Sequence, residues 1–69
     1  MEIHLDDPRH TGDLVAFLRR AQCVVEKLEG GGFLVRIPDS PLPEAERLEL
    51  MLYLRAWCAV HPGAHVRID

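Results

Sequence analysis

The sequence predicts a single α+β domain over residues 1–69, with the element order βαββαβ. Short stretches that alternate apolar and polar residues, as half-buried strands do, occur near both ends and in the middle of the chain. Two longer stretches carry apolar residues at the spacing of an α-helix. The glycines of residues 30–32 separate the two central strand-like stretches, and glycine provides the positive φ angles that tight turns require.

Four stretches are predicted as strands: residues 2–5, 23–28, 33–37 and 64–69. In the third, Phe33, Val35 and Ile37 alternate with Leu34 and Arg36 and are predicted to face the core. The second stretch leaves its phase open, because two neighbouring apolar residues are followed by two polar ones. If residues 2–5 form a loop, the alternative is a three-stranded α+β domain of similar shape.

The two helices are predicted from their apolar spacing and from their end signals. The first covers residues 8–21, with Asp7 accepting hydrogen bonds from the first turn and a proline at the first helical position. Thr11 is a competing cap, and if it is used the helix starts one turn later. Its apolar stripe consists of Leu14, Phe17, Leu18 and Ala21. The second runs from Pro43 to about His61, where a Pro-Gly pair ends it.

The βαββαβ order matches the ferredoxin-like split βαβ motif. Right-handed crossovers then place both helices on one face of a four-stranded antiparallel sheet. The usual spatial strand order of this architecture is 4-1-3-2, so the terminal strands lie side by side. The sequence therefore predicts a two-layer ferredoxin-like sandwich whose second sheet face is open.

Composition argues against several classes of partner. Eleven acidic and eight basic residues give a net charge of −3, whereas phosphate binding depends on clustered Lys and Arg, so no nucleic-acid partner is expected. Residues 33–37 also lack the aromatic and glycine pattern of an RNA-recognition strand.

No apolar run reaches the roughly 18 residues of a membrane span, and the first residues do not resemble a signal peptide, so a cytoplasmic protein is expected. Cys23 and Cys58 are interpreted as free, buried thiols.

The second helix carries two sets of apolar residues on different sides. One set contains mostly small residues: Ala45, Leu48, Leu52, Ala56 and Ala59. The other contains bulky residues: Leu50, Tyr53, Leu54 and Trp57. Small residues allow close packing on a sheet or helix, whereas bulky aromatic residues are enriched in interfaces, so the bulky set is predicted as an interaction surface. The sequence leaves open whether the first helix and the proline-rich connector cover that set instead.

The histidines and carboxylates that could bind a metal ion or take part in catalysis are scattered along the sequence. His4 and His65 are predicted on neighbouring strands of the open sheet face, near Asp69, and zinc accepts such ligands. No local spacing such as HExxH supports a metal site, and no cofactor is expected. His10 and His61 are interpreted as helix-end residues. The carboxylates of the second helix are interpreted as solvated charges: Glu44, Glu46 and Glu49.

No nucleophile with an adjacent base is apparent, so no enzyme is predicted. The sequence predicts a small non-catalytic interaction or regulatory module. It is expected to associate with a second copy, or with another protein, through helix 43–61 or the open sheet face. The alternative is a small-molecule or metal-binding domain that uses His4, His65 and Asp69 on that face.

Overall fold

The computed structural model describes residues 1–69 and contains four strands and two α-helices. The strands are β1 (Glu2–Leu5), β2 (Val24–Lys27), β3 (Gly32–Arg36) and β4 (Val66–Ile68). The helices are α1 (Thr11–Arg20), which follows a 3₁₀ turn at Pro8–His10, and α2 (Pro43–Ala59). The structure thus confirms an α+β fold with a four-stranded antiparallel sheet and two helices, and it confirms that residues 2–5 form a strand.

The strands lie in the order β2-β3-β1-β4, and every neighbouring pair is antiparallel. The first and last strands are therefore neighbours, with His4 opposite Arg67. In β2, Val25 pairs with Val35 and is partly buried against the core, while Val24 is exposed. This register settles the phase that the sequence left open: Cys23 and Val25 face inward.

Local hydrogen bonds define both ends of the α1 region. The Asp7 carboxylate accepts a hydrogen bond from the backbone N–H of Arg9 at 2.9 Å, so it caps the 3₁₀ turn, and the α-helix begins one turn later than predicted. At the other end Gln22 adopts a left-handed φ of 69°. The N–H of Cys23 then donates to the carbonyl of Leu18 at 3.0 Å, which completes a Schellman-type helix end.

One hydrophobic cluster joins both helices to one face of the sheet. Its members come from β1, α1, β3, α2 and the segments beside them: Ile3, Leu14, Val15, Leu18, Cys23, Phe33, Val35, Ile37, Leu50, Leu54, Trp57 and Ala64. Phe33, Val35 and Ile37 face the core as predicted. Both helices therefore cover the same sheet face and leave the opposite face open.

The assignment of the two sides of α2 was wrong. Leu50, Leu54 and Trp57 are only 0, 5 and 1 % exposed, and Tyr53 is half-buried, so the bulky set predicted as an interaction surface forms the core side. The side predicted to pack inward, with Leu48 and Leu52, faces outward. Neither helix is long and apolar enough to cross a membrane.

Glu46 gives the physical reason for this reversal. It lies four residues before Leu50 on the core side of α2, and its side chain is almost fully buried. Its carboxylate accepts the backbone N–H of Ile37 at 2.9 Å and Nε of Arg36 at 3.2 Å. The Ile37 hydrogen bond, assisted by Arg36, lowers the pKa of Glu46 despite partial desolvation. Glu46 is therefore a buried anchor between α2 and the end of β3 and not a solvated charge.

Candidate functional site

Large apolar side chains form a continuous exposed stripe on α2. Leu48, Met51 and Leu52 are 62, 41 and 63 % exposed. Residues three and four positions apart are neighbours on a helix, so the exposed Ala56 and Ala59 extend this stripe toward the end of α2. These five residues are called the outer face of α2 below.

The apolar surface continues from the outer face toward the edge of the sheet. Met51 lines an apolar groove between α2 and β4 whose other lining residues are Leu54, Arg55, Cys58, Val66 and Ile68. The strand β4 pairs only with β1, so its other edge presents unpaired backbone groups. The outer face and this groove are therefore parts of one accessible apolar region, which ends at the open edge of β4.

Charged residues flank the outer face without forming ion pairs. Glu44 and Arg55 are exposed, and neither takes part in a salt bridge. At about 100° per residue, both lie on the flank of the helix that carries Leu48 and Met51. The unpaired negative charge of Glu44 thus lies toward the N-terminal end of the stripe, and the unpaired positive charge of Arg55 lies toward its C-terminal end.

A polar cluster lies on the open sheet face. Nε2 of His4 is 2.8 Å from Oε2 of Glu2 and 3.0 Å from Oδ2 of Asp69. Because carboxylates only accept hydrogen bonds when ionised, this nitrogen carries the proton. The His4 ring lies over Gly32, where an added Cβ would come within 2.9 Å of its Cε1.

The structure brings together only part of the site predicted on the sheet face. His4 and Asp69 are in contact, but His65 is exposed and belongs to neither group of potential metal ligands. The backbone N–H of His65 instead donates to the Asp6 carboxylate at 3.0 Å. Glu2, which sequence reasoning did not single out as a ligand, takes the third position beside His4.

A second polar cluster joins the start of α1 to the end of α2. His10, Asp13 and His61 each offer one ligand atom within 4.8 Å of the others. The His61 ring stacks on Trp57 at 4.1 Å, and the edge of the His10 ring meets Trp57 at 5.9 Å. Sequence reasoning missed this cluster because the three residues lie up to 51 positions apart, and no local spacing signals their meeting.

The two thiols are free, as predicted. Cys23 is buried, and Cys58 is half-buried. Desolvation by burial raises the pKa of both thiols, and nearby carboxylates add to the effect: Glu49 and Glu46 beside Cys23, and Asp6 beside Cys58. Both groups are therefore held in the protonated thiol form, which is a poor nucleophile.

Comparison of the chain with protein-family models, curated proteins and solved structures gives no match.

Proposed function

We propose that this protein is a small non-catalytic interaction module of ferredoxin-like βαββαβ architecture that forms a homodimer through the outer face of α2. The observation that carries the proposal is the exposure of Leu48, Met51 and Leu52 on one side of a helix whose other side is fully used by the core. Monomers rarely expose contiguous apolar patches larger than a few hundred Å². The strand order β2-β3-β1-β4 supports the architecture, and two free thiols fit a reducing, cytoplasmic compartment.

The pattern of the outer face favours a second copy of the chain as its occupant. In a two-fold dimer the same patch meets itself. If two α2 helices pair antiparallel about a point between residues 49 and 50, Leu48 of each copy lies opposite Met51 of the other. Leu52 then packs beside Leu48 of the other copy. The stripe is therefore complementary to itself.

The flanking charges fit the same pairing. With a rise of about 1.5 Å per residue, Glu44 and Arg55 lie about 8 Å on either side of the midpoint. Glu44 of each copy is then level with Arg55 of the other. Both lack an ion-pair partner within one chain. An antiparallel dimer therefore gives each a partner of opposite charge and forms two Glu44–Arg55 ion pairs. Such rim pairs set the orientation more than they add affinity.

Light scattering or sedimentation across a wide concentration range tests this proposal. We expect the mass to rise from 7.8 kDa toward twice that value as concentration increases. Leu52→Glu should remove the rise, because it places a charge at the centre of the interface. The matched control is Leu34→Glu, an exposed leucine on the open sheet face, which should still dimerise.

A charge exchange tests the orientation separately. Glu44→Arg should weaken the dimer, and adding Arg55→Glu should restore it, since each pair is then reversed as a whole. A mass of 7.8 kDa at every concentration contradicts the proposal. Loss of the dimer in Leu34→Glu but not in Leu52→Glu would assign association to the open sheet face instead.

Ligand binding at the open sheet face is the second candidate function. Its support is the meeting of His4 with Asp69 at 3.0 Å. However, Nε2 of His4 already donates to Glu2 and lies 3.0 Å from the Asp69 carboxylate, so a metal ion must displace a proton and that hydrogen bond there. His65 lies outside the cluster. The outer face of α2 is therefore the better supported site.

A further inference from the structure

We propose that His10, Asp13 and His61 form a binding site for a divalent transition-metal ion of the zinc type. His10 ends the 3₁₀ turn, Asp13 lies in the first turn of α1, and His61 follows α2. Two imidazoles and one carboxylate form a donor set that zinc and its neighbours in the first transition row accept. The site is distinct from the dimer face and from the sheet-face cluster.

The distances between the donor atoms are close to those that a metal ion requires. With zinc bound at about 2.0–2.2 Å by each ligand, neighbouring ligands of a tetrahedron lie about 3.3 Å apart. Nε2 of His61 and Oδ2 of Asp13 are already 3.7 Å apart, and all three donors lie within 4.8 Å of one another. The Asp13 side chain is 71 % exposed, so rotation about its own bonds can close the remaining gap.

The orientation of His61 is the second observation that favours a metal ion. Its Nδ1 is 2.8 Å from the backbone carbonyl oxygen of Trp57. A carbonyl only accepts, so Nδ1 carries the hydrogen, and Nε2 presents its lone pair toward Asp13. Histidines that bind metals almost always donate their other N–H to a carbonyl or carboxylate in this way. The lone pair of the neutral ring repels the Asp13 carboxylate unless a proton on Nε2 or a bound metal ion lies between them, and the 3.7 Å between Nε2 and Oδ2 is longer than a hydrogen bond.

The core holds the two imidazoles in place. The His61 ring is stacked on Trp57, with an angle of 16° between the rings, and Trp57 is buried. His61 also follows the C-terminus of α2, where the helix dipole favours a cation. A shallow groove lined by Asp13, Phe17, Arg20, Trp57, Val60 and His61 opens to solvent beside two of the three donors.

The nearest other carboxylate, that of Asp7, is already used. Its Oδ2 is 4.0 Å from Nε2 of His10, but both of its oxygens accept hydrogen bonds from the Arg9 side chain. The site therefore offers three protein ligands, which are two imidazoles and one carboxylate.

The test is a Zn²⁺ titration of the metal-free full chain, in which calorimetry and Trp57 fluorescence measure the binding. It is carried out in the Leu52→Glu background as well, so that failure of the dimer cannot be mistaken for failure of the metal site. We expect one ion per chain in both backgrounds, a change in fluorescence, and a higher melting temperature, because an ion that binds only the native state stabilises it.

Asp13→Asn and His61→Gln should each weaken Zn²⁺ binding by at least tenfold. Asp13→Asn is the cleaner variant, because the side chain is exposed and the amide keeps its shape. His65→Ala, an exposed histidine outside both clusters, should bind as the parent does. The proposal is overturned if Zn²⁺ does not bind, if one ion is shared by two chains, or if His4→Ala abolishes binding while Asp13→Asn does not.

Discussion

Replacing Leu50 by alanine should destabilise the protein several times more than the same change at Leu48, two residues earlier on α2. Leu50 is 0 % exposed and lies in the core, where Leu→Ala changes cost about 2.7–5 kcal/mol. Leu48 is 62 % exposed, so only about a third of the roughly 1.5–3 kcal/mol for burying a leucine is at stake within one chain. We therefore expect a loss of about 3 kcal/mol or more for Leu50→Ala and about 0.5–1 kcal/mol for Leu48→Ala.

Urea unfolding followed by Trp57 fluorescence measures both losses, at a concentration where the chain is monomeric. A loss of 3 kcal/mol corresponds to a melting temperature lower by about 12 °C or more in a domain of this size. A 69-residue chain has only about 3–10 kcal/mol in total, so Leu50→Ala has a large effect on the folded fraction. Leu50→Met, which is close in volume, should cost below about 1.5 kcal/mol and provides a folded comparison.

Equal losses for Leu48→Ala and Leu50→Ala in the monomer would refute the assignment of the two sides of α2. At higher protein concentration the expectation for Leu48 changes, because the proposed dimer would add its own stabilisation. The melting temperature of the parent chain should then rise with concentration, whereas that of Leu48→Ala should rise less.

Two further predictions concern single polar and glycine positions. The pKa of Glu46 is lowered in the folded state from its ordinary value of 4.5, so its contribution to stability is present above that value and is lost as pH falls through the lowered folded pKa. The melting temperature, measured between pH 7 and pH 2.5, should therefore fall less steeply toward acid pH in Glu46→Gln than in the parent chain. An equally steep fall would contradict this role. Gly32→Ala should destabilise by about 1 kcal/mol in thermal unfolding, because the new methyl group, 2.9 Å from Cε1 of His4, pushes that ring away from Glu2 and Asp69. Gly12→Ala is its control: nothing lies within 4 Å there, so the change should be neutral or stabilising by up to about 1 kcal/mol, and a loss equal to that of Gly32→Ala would argue against the contact.

The elements could be predicted from the sequence because each has a strong local signal. Alternation placed Phe33, Val35 and Ile37 in the core, and the glycine run placed the hairpin turn. The phase of β2 could not be predicted, since Val24 and Val25 are both apolar and only the pairing with β3 distinguishes them. Local patterns thus determine where an element lies more readily than which side it turns inward.

The second helix shows how one polar residue can mislead a periodicity argument. The small-residue set is entirely apolar along the helix, whereas the true core side contains Glu46 at its start. A carboxylate normally marks a solvated side, but here the free N–H of Ile37 at the end of β3 requires an acceptor. That requirement arises only after the strand and the helix have met, so it cannot be seen in the sequence. The same is true of His10, Asp13 and His61, which only tertiary packing brings together.

The two proposed sites use opposite sides of α2, and this separation has a physical rationale. The outer face is centred on Leu52, while His61 stacks on Trp57, which belongs to the core side of the helix. Variants at one site should therefore leave the other nearly unchanged, as expected for positions without shared partners.

A chain of this length buries only about 60 % of its unfolded surface, so its stability is marginal. A metal ion that links the start of α1 to the end of α2, at 100 times its dissociation constant, adds about 2.7 kcal/mol, and a dimer adds a further concentration-dependent amount. For so small a core, both additions are comparable with the stability of the isolated fold.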